Sequence, residues 1–201
     1  TNAQAIDYFG KSVAISGDII TVGAYGEDNF YTAIQNSDDT DPTNDDNSFY
    51  SSGAVYVFKR DTGSGNWSQD AYLKASNADP YDIFGRPVAI SGDLIAVGAN
   101  KEDSLSTAIV NSYVAQPIEF DSNTYNHAGA VYVFKRDTGT GNWTQDAYLK
   151  AGNADRYDYF GFSVSISGDD IVVGAIKEDS LSTAIVNADA AQPSGCDYTS
   201  P

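Results

Sequence analysis

Acidic residues recur at one fixed place in this sequence, and carboxylates brought together in this way are candidate ligands for a hard divalent cation. The dipeptides Gly17-Asp18, Gly92-Asp93 and Gly168-Asp169 each predict a hairpin turn, and each turn sets a register. That register places an aspartate before the turn opposite an aspartate after it, with a glutamate beside the second. The three sets are Asp7, Asp28 and Glu27; Asp82, Asp103 and Glu102; and Asp158, Asp179 and Glu178.

Opposed carboxylates destabilise a strand pair unless something compensates for their repulsion. Ca²⁺ takes carboxylate and carbonyl oxygens, so one prediction is a Ca²⁺ ion at each acidic set. Two alternatives stay open. The pairing frays before the aspartates and water screens them, or one aspartate of each pair caps a turn by accepting a backbone N–H.

The sequence offers little for catalysis. His127 is the single histidine, and it lies in an insertion that has no copy of it in the first repeat. No Gly-x-Ser-x-Gly elbow, phosphate-binding glycine loop or Cys/His zinc motif is present. Glycosidase chemistry by two carboxylates is conceivable, but acids repeated at equivalent positions are more typical of a structural role. We therefore expect a protein that is not an enzyme.

The net charge of the chain limits the classes of partner that it is expected to bind. Twenty-eight acidic and 11 basic residues give a net charge of −17. Such a surface repels nucleic acid and anionic membrane, and it suits cations, basic partners or simple solubility. No apolar run is long enough to span a membrane. Cys196 is the single cysteine, so it either pairs with a partner outside this chain or is a free thiol.

The elements that must position the acidic residues follow from an internal repeat. Residues 53–63 return unchanged as residues 129–139. A Phe-Gly pair, a valine-containing strand, a Ser-Gly-Asp turn and Val-Gly-Ala occur in this order three times, starting at Phe9, Phe84 and Phe160. A fixed period of 75 to 76 residues is typical of a stacked array of structural units.

Each complete repeat predicts four antiparallel strands. In the first repeat these are 12–16, 19–24, 54–59 and 67–74. The strand at 54–59 is apolar on both faces, so neighbouring units must cover each sheet on both sides. Four-stranded sheets packed face to face at a long period describe a β-propeller. A β-solenoid is the alternative, although its coils are usually far shorter.

A long polar insertion separates the second and third strands, at 27–52 and again at 101–128. Insertions of this length are usually functional loops or mobile decoration. The apolar stretch 104–110 is expected to pack on the propeller or to form an extra strand or short helix. Trp67 and Trp143 are more typical of packing residues than of sugar platforms. Exposed tyrosines that could stack on sugar rings are Tyr31, Tyr50, Tyr113 and Tyr125.

The Phe-Gly and Val-Gly-Ala pairing, followed by Gly-Ala-Val-Tyr-Val-Phe, resembles the FG-GAP repeats that form the blades of the integrin α-subunit propeller. The likeness covers nearly the whole chain except the insertions and the tail after Asn187, and it is closest to bacterial secreted or surface proteins. It implies an all-β fold of propeller blades, and an extracellular protein that is secreted or attached to the cell surface. Tight Gly-Asp turns stand where integrin-type repeats often carry a calcium loop, so that loop is not implied here.

The repeats predict three units: repeat 1 at 1–75, repeat 2 at 76–151 and a partial repeat 3 at 152–201. The chain therefore holds an incomplete propeller, and further repeats of the same polypeptide or a homo-oligomer would complete its blades. The leading hypothesis is an extracellular, non-enzymatic adhesion or binding module for a protein or glycan ligand, stabilised by Ca²⁺. The alternatives are a structural subunit of an extracellular filament or matrix, and a carbohydrate-binding or carbohydrate-active propeller.

Overall fold

The computed structural model describes residues 6–29, 32–36, 50–104, 109–111 and 127–179. Within these residues the regular structure consists of β-strands, as predicted, and none of it is a helix long and apolar enough to cross a membrane. The strands form three antiparallel sheets, one for each repeat, and we name them blades 1, 2 and 3. The described part of the chain is thus an incomplete set of propeller-type blades.

Blades 1 and 2 each have four antiparallel strands in chain order, and blade 3 has two described strands. Blade 1 contains β1 (Ser12–Ser16), β2 (Ile19–Ala24), β3 (Ala54–Arg60) and β4 (Trp67–Leu73). Blade 2 contains β5 (Val88–Ser91), β6 (Leu94–Ala99), β7 (Ala130–Arg136) and β8 (Trp143–Leu149). Blade 3 contains β9 (Ser163–Ser167) and β10 (Asp170–Gly174).

The predicted two-residue turn opens every blade. Ser16 pairs with Ile19 across the first turn, and the ladder keeps this register as far as Ser12 and Gly23. Gly17 has φ +56°, a left-handed conformation that glycine adopts without a steric penalty. The hairpins of blades 2 and 3 repeat this arrangement.

Alternation along the strands gives each blade two faces. The front face of blade 1 carries Val13, Ile15, Val22, Tyr56 and Phe58, and its back face carries Ser12, Ala14, Gly23, Val55 and Val57. The back face of blade 1 packs against the front face of blade 2 in one apolar core. That core includes Val55, Val57 and Leu73 from blade 1, and Val88, Ile90, Tyr132 and Phe134 from blade 2.

The Phe-Gly pair forms the joint between successive blades. The Phe84 N–H donates to the carbonyl of Ser52 at 3.2 Å, and Phe84 forms a parallel bridge with Gly53. A Cβ on Gly85 would lie 2.5 Å from the carbonyl oxygen of Ala54, so no side chain fits there. The motif therefore recurs because the backbones of two blades touch at this point. The next joint repeats the bridge with Gly129 and Phe160.

Each insertion also touches the outer strand of its own blade. Gln35 forms an antiparallel bridge with Tyr72 of β4, and Val110 forms the equivalent bridge with Tyr148 of β8. Of the alternatives for residues 104–110, packing on the propeller is confirmed at Val110, which makes a single bridge to β8. The predicted features at Tyr31, Tyr113, Tyr125 and Cys196 lie outside the described residues.

Candidate functional site

The acidic residues predicted to lie opposite each other come close together, but with a changed register. The Gly26 N–H donates to the carbonyl of Asp7 at 3.0 Å, so Asp7 faces Gly26 and not Asp28. The shift begins at Gly10, which has φ +85° and whose N–H donates to the carbonyl of Gly23, although Gly23 pairs with Ser12 in the strand. The direct alignment of Asp7 with Asp28 is therefore wrong by two residues. Blade 3 shows the same shift, because Lys177 donates to the Asp158 carbonyl.

The second aspartate of each set caps the end of an insertion. The Ser51 N–H donates to Asp28 Oδ1 at 2.6 Å, and the His127 N–H donates to Asp103 Oδ1 at 2.7 Å. Ser51 and His127 are where the two insertions return to the sheet. Of the alternatives, capping of a backbone N–H is confirmed for Asp28 and Asp103.

The first aspartate of blades 2 and 3 holds the chain that enters the blade. Asp82 Oδ2 accepts the Asp79 N–H at 2.9 Å, and Asp158 Oδ2 accepts the Asp155 N–H at 2.7 Å. Both aspartates are buried. Side-chain acceptance from a residue three positions earlier closes a local turn, and it fixes the approach to the Phe-Gly joint.

Buried lysines supply positive charge to the acidic sets of blades 1 and 2. Lys150 Nζ lies 2.7 Å from Glu102 Oε2, and both side chains are buried. In blade 1 the buried Lys74 Nζ donates to Ser52 Oγ at 2.6 Å, and its charge interacts with Glu27. The sequence analysis did not identify these lysines. A lysine at the end of an apolar strand in both complete repeats was the available signal.

Burial dominates the electrostatics of the first acidic set. It raises the pKa of Glu27 to about 7, an effect that Lys74 opposes and Asp7 reinforces. Burial also lowers the pKa of Lys74 to about 8, and the nearby charges of Glu27, Asp82 and Asp28 oppose that change. Because Asp82 belongs to blade 2, the set spans the joint between two blades. Glu27 also accepts hydrogen bonds from the Tyr56 hydroxyl and the Asn29 N–H.

In the other two sets, the carboxyl groups lie close enough to influence one another's pKa. Burial raises the pKa of Asp82 well above its usual value, and Glu102 and Asp103 add to the rise. In blade 3, burial raises the pKa of Asp158 to about 6. Asp155, Glu178 and Asp179 reinforce that rise. Each predicted set is thus a group of neighbouring carboxyls at the joint end of its blade.

Calcium stays a prediction from the sequence. Among the described residues, no group of three or more His, Cys, Asp or Glu side chains is arranged to hold a metal ion. Asp28, Asp82 and Asp103 already accept backbone hydrogen bonds, and Glu102 has a lysine partner. In blade 3, Glu178 and Asp179 are exposed and accessible to ions from solvent.

Several non-glycine residues with a left-handed backbone lie at the joints between blades. Left-handed φ at a bulky residue costs on the order of 1–3 kcal/mol, and it persists only where surrounding contacts enforce it. Tyr81 and Ile83 are held by hydrogen bonds from their N–H groups to the carbonyls of Tyr50 and Ser51, at 2.7 and 2.9 Å. The non-glycine residues with positive φ in the described structure are Ile6, Tyr8, Ser51, Tyr81, Ile83, His127, Tyr157 and Tyr159.

Exposed aromatic rings lie on these strained segments. Tyr50 and Tyr81 are about half exposed, and their rings stack with centroids 6.3 Å apart across the joint between blades 1 and 2. At the next joint, His127 stacks on Tyr159 at 5.6 Å, but both of these side chains are partly buried. Of the tyrosines predicted to face ligands, Tyr50 is thus placed on the surface. Sequence reasoning missed Tyr81, whose exposure depends on the left-handed turn.

Comparison with known proteins gives a match to one family model. The family model described as "FG-GAP repeat" matches residues 1–40, 67–134 and 143–192, which together make up more than half of the chain. No curated protein matches the chain.

Proposed function

The chain belongs to the FG-GAP repeat family, and we propose that it is a non-enzymatic binding or adhesion module that acts outside the cell or at its surface. Its blades are the scaffold, and the blade joints with their insertions are the recognition face. On that face, the described residues provide acidic groups, exposed aromatic rings and a backbone fixed by hydrogen bonds. Protein and glycan ligands both use such surfaces.

The observation that carries this proposal is the stacked pair Tyr50 and Tyr81. Both rings are about half exposed and stack on each other at the surface. Their backbones are joined by the hydrogen bond from Tyr81 to Tyr50, and Tyr81 has φ +73°. A pair of rings held in place before binding loses little entropy when a ligand arrives.

The acidic surface suggests the character of the ligand. With a net charge of −17, the chain favours ligands that are neutral or basic. A neutral saccharide suits stacking on a tyrosine pair, and a basic protein segment suits the acidic sets beside it. The carbohydrate-binding alternative is therefore retained on the evidence of this pair alone.

The test is binding to a glycan microarray and to a panel of immobilised extracellular-matrix proteins. We expect at least one probe to bind the chain and to lose about tenfold or more affinity in the Tyr50→Ser/Tyr81→Ser variant. Trp67→Ser is the matched control, because Trp67 is also about half exposed but lies on β4, away from the joint. Equal loss in both variants, or no binding to any probe, would count against the proposal.

A further inference from the structure

An exposed tyrosine occurs at the same repeat position in two successive joints. Tyr81 lies at the joint between blades 1 and 2, and Tyr157 lies at the equivalent place between blades 2 and 3. Tyr81 is 50% exposed and Tyr157 is 44% exposed. Because Tyr81 lies between two four-stranded blades, an exposed ring at this position is a property of a joint between complete blades.

Both tyrosines are carried by the same hydrogen-bonded loop, at residues 79–82 and 155–158, and we name these two segments the ring loops. In each loop the side chain of the last aspartate accepts the N–H of the first, at 2.9 Å for Asp82 and 2.7 Å for Asp158. The N–H of the last aspartate also donates to the carbonyl of the first, at 3.4 Å in both loops. The two loops therefore present their tyrosines in the same way.

The packing of the rings does not account for the backbone strain in the ring loops. Tyr81 and Tyr157 have φ of +73° and +70°, a left-handed conformation that glycine and asparagine adopt at lower cost. Ile83 and Tyr159 are left-handed as well, but Ile83 is buried and Tyr159 stacks on His127. A half-exposed ring recovers less of this cost by burial, and strain of this kind is typical of functional sites.

Each exposed ring is also held in place by a neighbouring ring. Tyr50 stacks on Tyr81 with centroids 6.3 Å apart. His127 contacts Tyr157 edge to face, with centroids 5.7 Å apart and ring planes at 64°. Rings that are fixed before a ligand arrives lose little entropy on binding.

The packing of the blades places the two ring loops in a row. β1 lies against β5 and β5 lies against β9, so successive blades pack through equivalent strands. Equivalent points on successive blades therefore follow one another along the array. A row of rings at a regular interval suits a ligand that itself repeats, such as a linear polymer.

The residues beside the rings favour a neutral polymer. The exposed neighbours in the two loops are Pro80 and Arg156. The neighbouring aspartates, Asp82 and Asp158, are buried. Arg156 disfavours a basic polypeptide at this row, and the net charge of −17 repels acidic or sulfated polysaccharides. Stacking on the apolar face of an uncharged sugar needs neither charge.

We infer that the two ring loops form one binding surface for a neutral linear polysaccharide, whose sugar rings stack on Tyr81 at one joint and on Tyr157 at the next. This inference rests on the proposed function and deepens it, because it names the class of ligand and a second point of contact. Once the polymer is bound at one ring, its contact with the other becomes intramolecular. A long chain therefore binds more tightly than a short one.

Affinity electrophoresis in native gels that contain hydroxyethylcellulose, galactomannan or arabinoxylan tests the inference. We expect at least one of these polysaccharides to retard the chain, and added salt to leave the retardation unchanged, since no pair of charges takes part. Oligosaccharides of increasing length from the same polymer are then compared by isothermal titration calorimetry. Affinity is expected to rise by about tenfold or more when the oligosaccharide becomes long enough to reach both rings.

The Tyr157→Asn variant separates binding from stability. Asparagine adopts the left-handed backbone and removes the ring, so we expect a urea midpoint at or above that of the wild type and no gain in affinity with length. Tyr157→Phe keeps the ring and should keep the gain. Val172→Ser, at a 70% exposed position on β10, is the control and should change neither property. A lower urea midpoint in Tyr157→Asn with an unchanged gain would identify Tyr157 as a packing residue and overturn the inference.

Failure of this inference and failure of the proposed function give different results. Equal affinity for oligosaccharides of every length would overturn the two-ring surface and leave the single site at Tyr50 and Tyr81 in place. If no polysaccharide retards the chain, the inference is wrong, and the binding of matrix proteins then decides the proposed function. Retardation by polylysine alone, abolished by high salt, would indicate a basic polypeptide as the ligand and would also overturn the inference.

Discussion

Buried lysines are the feature of the acidic sets that most changes their interpretation. The sequence predicts repulsion between carboxylates and a metal ion to relieve it, and in blade 2 the structure places an ammonium 2.7 Å from Glu102. Taking both charges out of water is costly, so the pair stabilises the fold only as long as both partners are present. The acidic set and its lysine together hold the insertion against the joint.

Replacing Lys150 by alanine leaves Glu102 buried without its ammonium partner. We expect the free energy of unfolding to fall by about 3–5 kcal/mol, because an uncompensated charge then stays in a dry environment. Urea unfolding followed by tryptophan fluorescence measures this change. The Lys150→Met/Glu102→Gln variant removes both charges at similar volume and is expected to recover most of the loss. A double variant as unstable as the single one would contradict the role given to the pair.

The buried carboxyls make stability depend on pH. Burial raises the pKa of Glu27 to about 7 and that of Asp158 to about 6. The folded chain therefore keeps protons that the unfolded chain releases, so the free energy of unfolding is expected to fall as pH rises from about 4 to about 7.

The Asp158→Asn variant checks this dependence by denaturant unfolding at several pH values. We expect a shallower slope, by about 1 kcal/mol or more over that range, because the buried carboxyl of Asp158 keeps a proton that the unfolded chain releases. Asp170→Asn, at an exposed position in the same blade, is the control and should leave the slope unchanged. Stability that rises with pH would refute the prediction.

Calcium is best tested through the set whose carboxylates are most accessible. Glu178 and Asp179 are exposed, whereas Asp103 is engaged by the His127 N–H. If Ca²⁺ binds, we expect added Ca²⁺ to raise the melting temperature by about 2–4 °C and a chelator to reverse the rise. Asp179→Asn should abolish that rise and Asp103→Asn should retain it. An identical melting temperature with Ca²⁺ and with chelator would end the calcium prediction.

At the scale of the strands and turns, the Phe-Gly motif has a mechanical explanation. In blade 2 the glycine follows the buried ring of Phe84 and lies where two blades bring their backbones into contact. Gly85 combines a left-handed φ of +92° with a close carbonyl from the preceding blade. Gly10 has φ +85°, and no atom lies within 4 Å of a Cβ placed on it.

This contrast gives a matched pair of substitutions. Gly10→Ala is expected to cost about 1 kcal/mol, from its left-handed backbone alone. Gly85→Ala is expected to cost about 3 kcal/mol or more, because the added methyl also forces blades 1 and 2 apart. Urea midpoints measured at one low protein concentration give the comparison. Equal costs would mean that the motif serves the turn only and not the joint.

At the scale of the whole molecule, the main feature is an excess of negative charge. A net charge of −17 on 201 residues disfavours the compact state through self-repulsion. We expect sodium chloride to raise the melting temperature by on the order of a few degrees, since screening weakens that repulsion. Differential scanning calorimetry at fixed pH measures the effect. A melting temperature that falls with added salt would show that attractive ion pairs outweigh the repulsion.

The strands were predictable because their signals are local and occur more than once. The Gly-Asp turns set the hairpin register, and the doubly apolar strand at 54–59 required sheets covered on both sides. The acidic residues were found for the same reason, since equal spacing in three repeats places them at one end of each blade. The family resemblance rests on these same residues and is confirmed by the FG-GAP repeat match.

The sequence by itself thus determined the all-β class and the positions of the strands, and it indicated which carboxyl groups lie near one another. Only the tertiary structure decided how those carboxylates are balanced, because Lys150, just after β8, reaches Glu102, which is 48 residues earlier in the chain and just after β6. It also decided that Asp7 meets Gly26, because the left-handed Gly10 changes a register that strand pairing alone would continue. The tertiary structure also decided which of these side chains are exposed. Val13 and Val88 have the same local sequence, but in the described structure only Val88 is covered by a neighbouring blade.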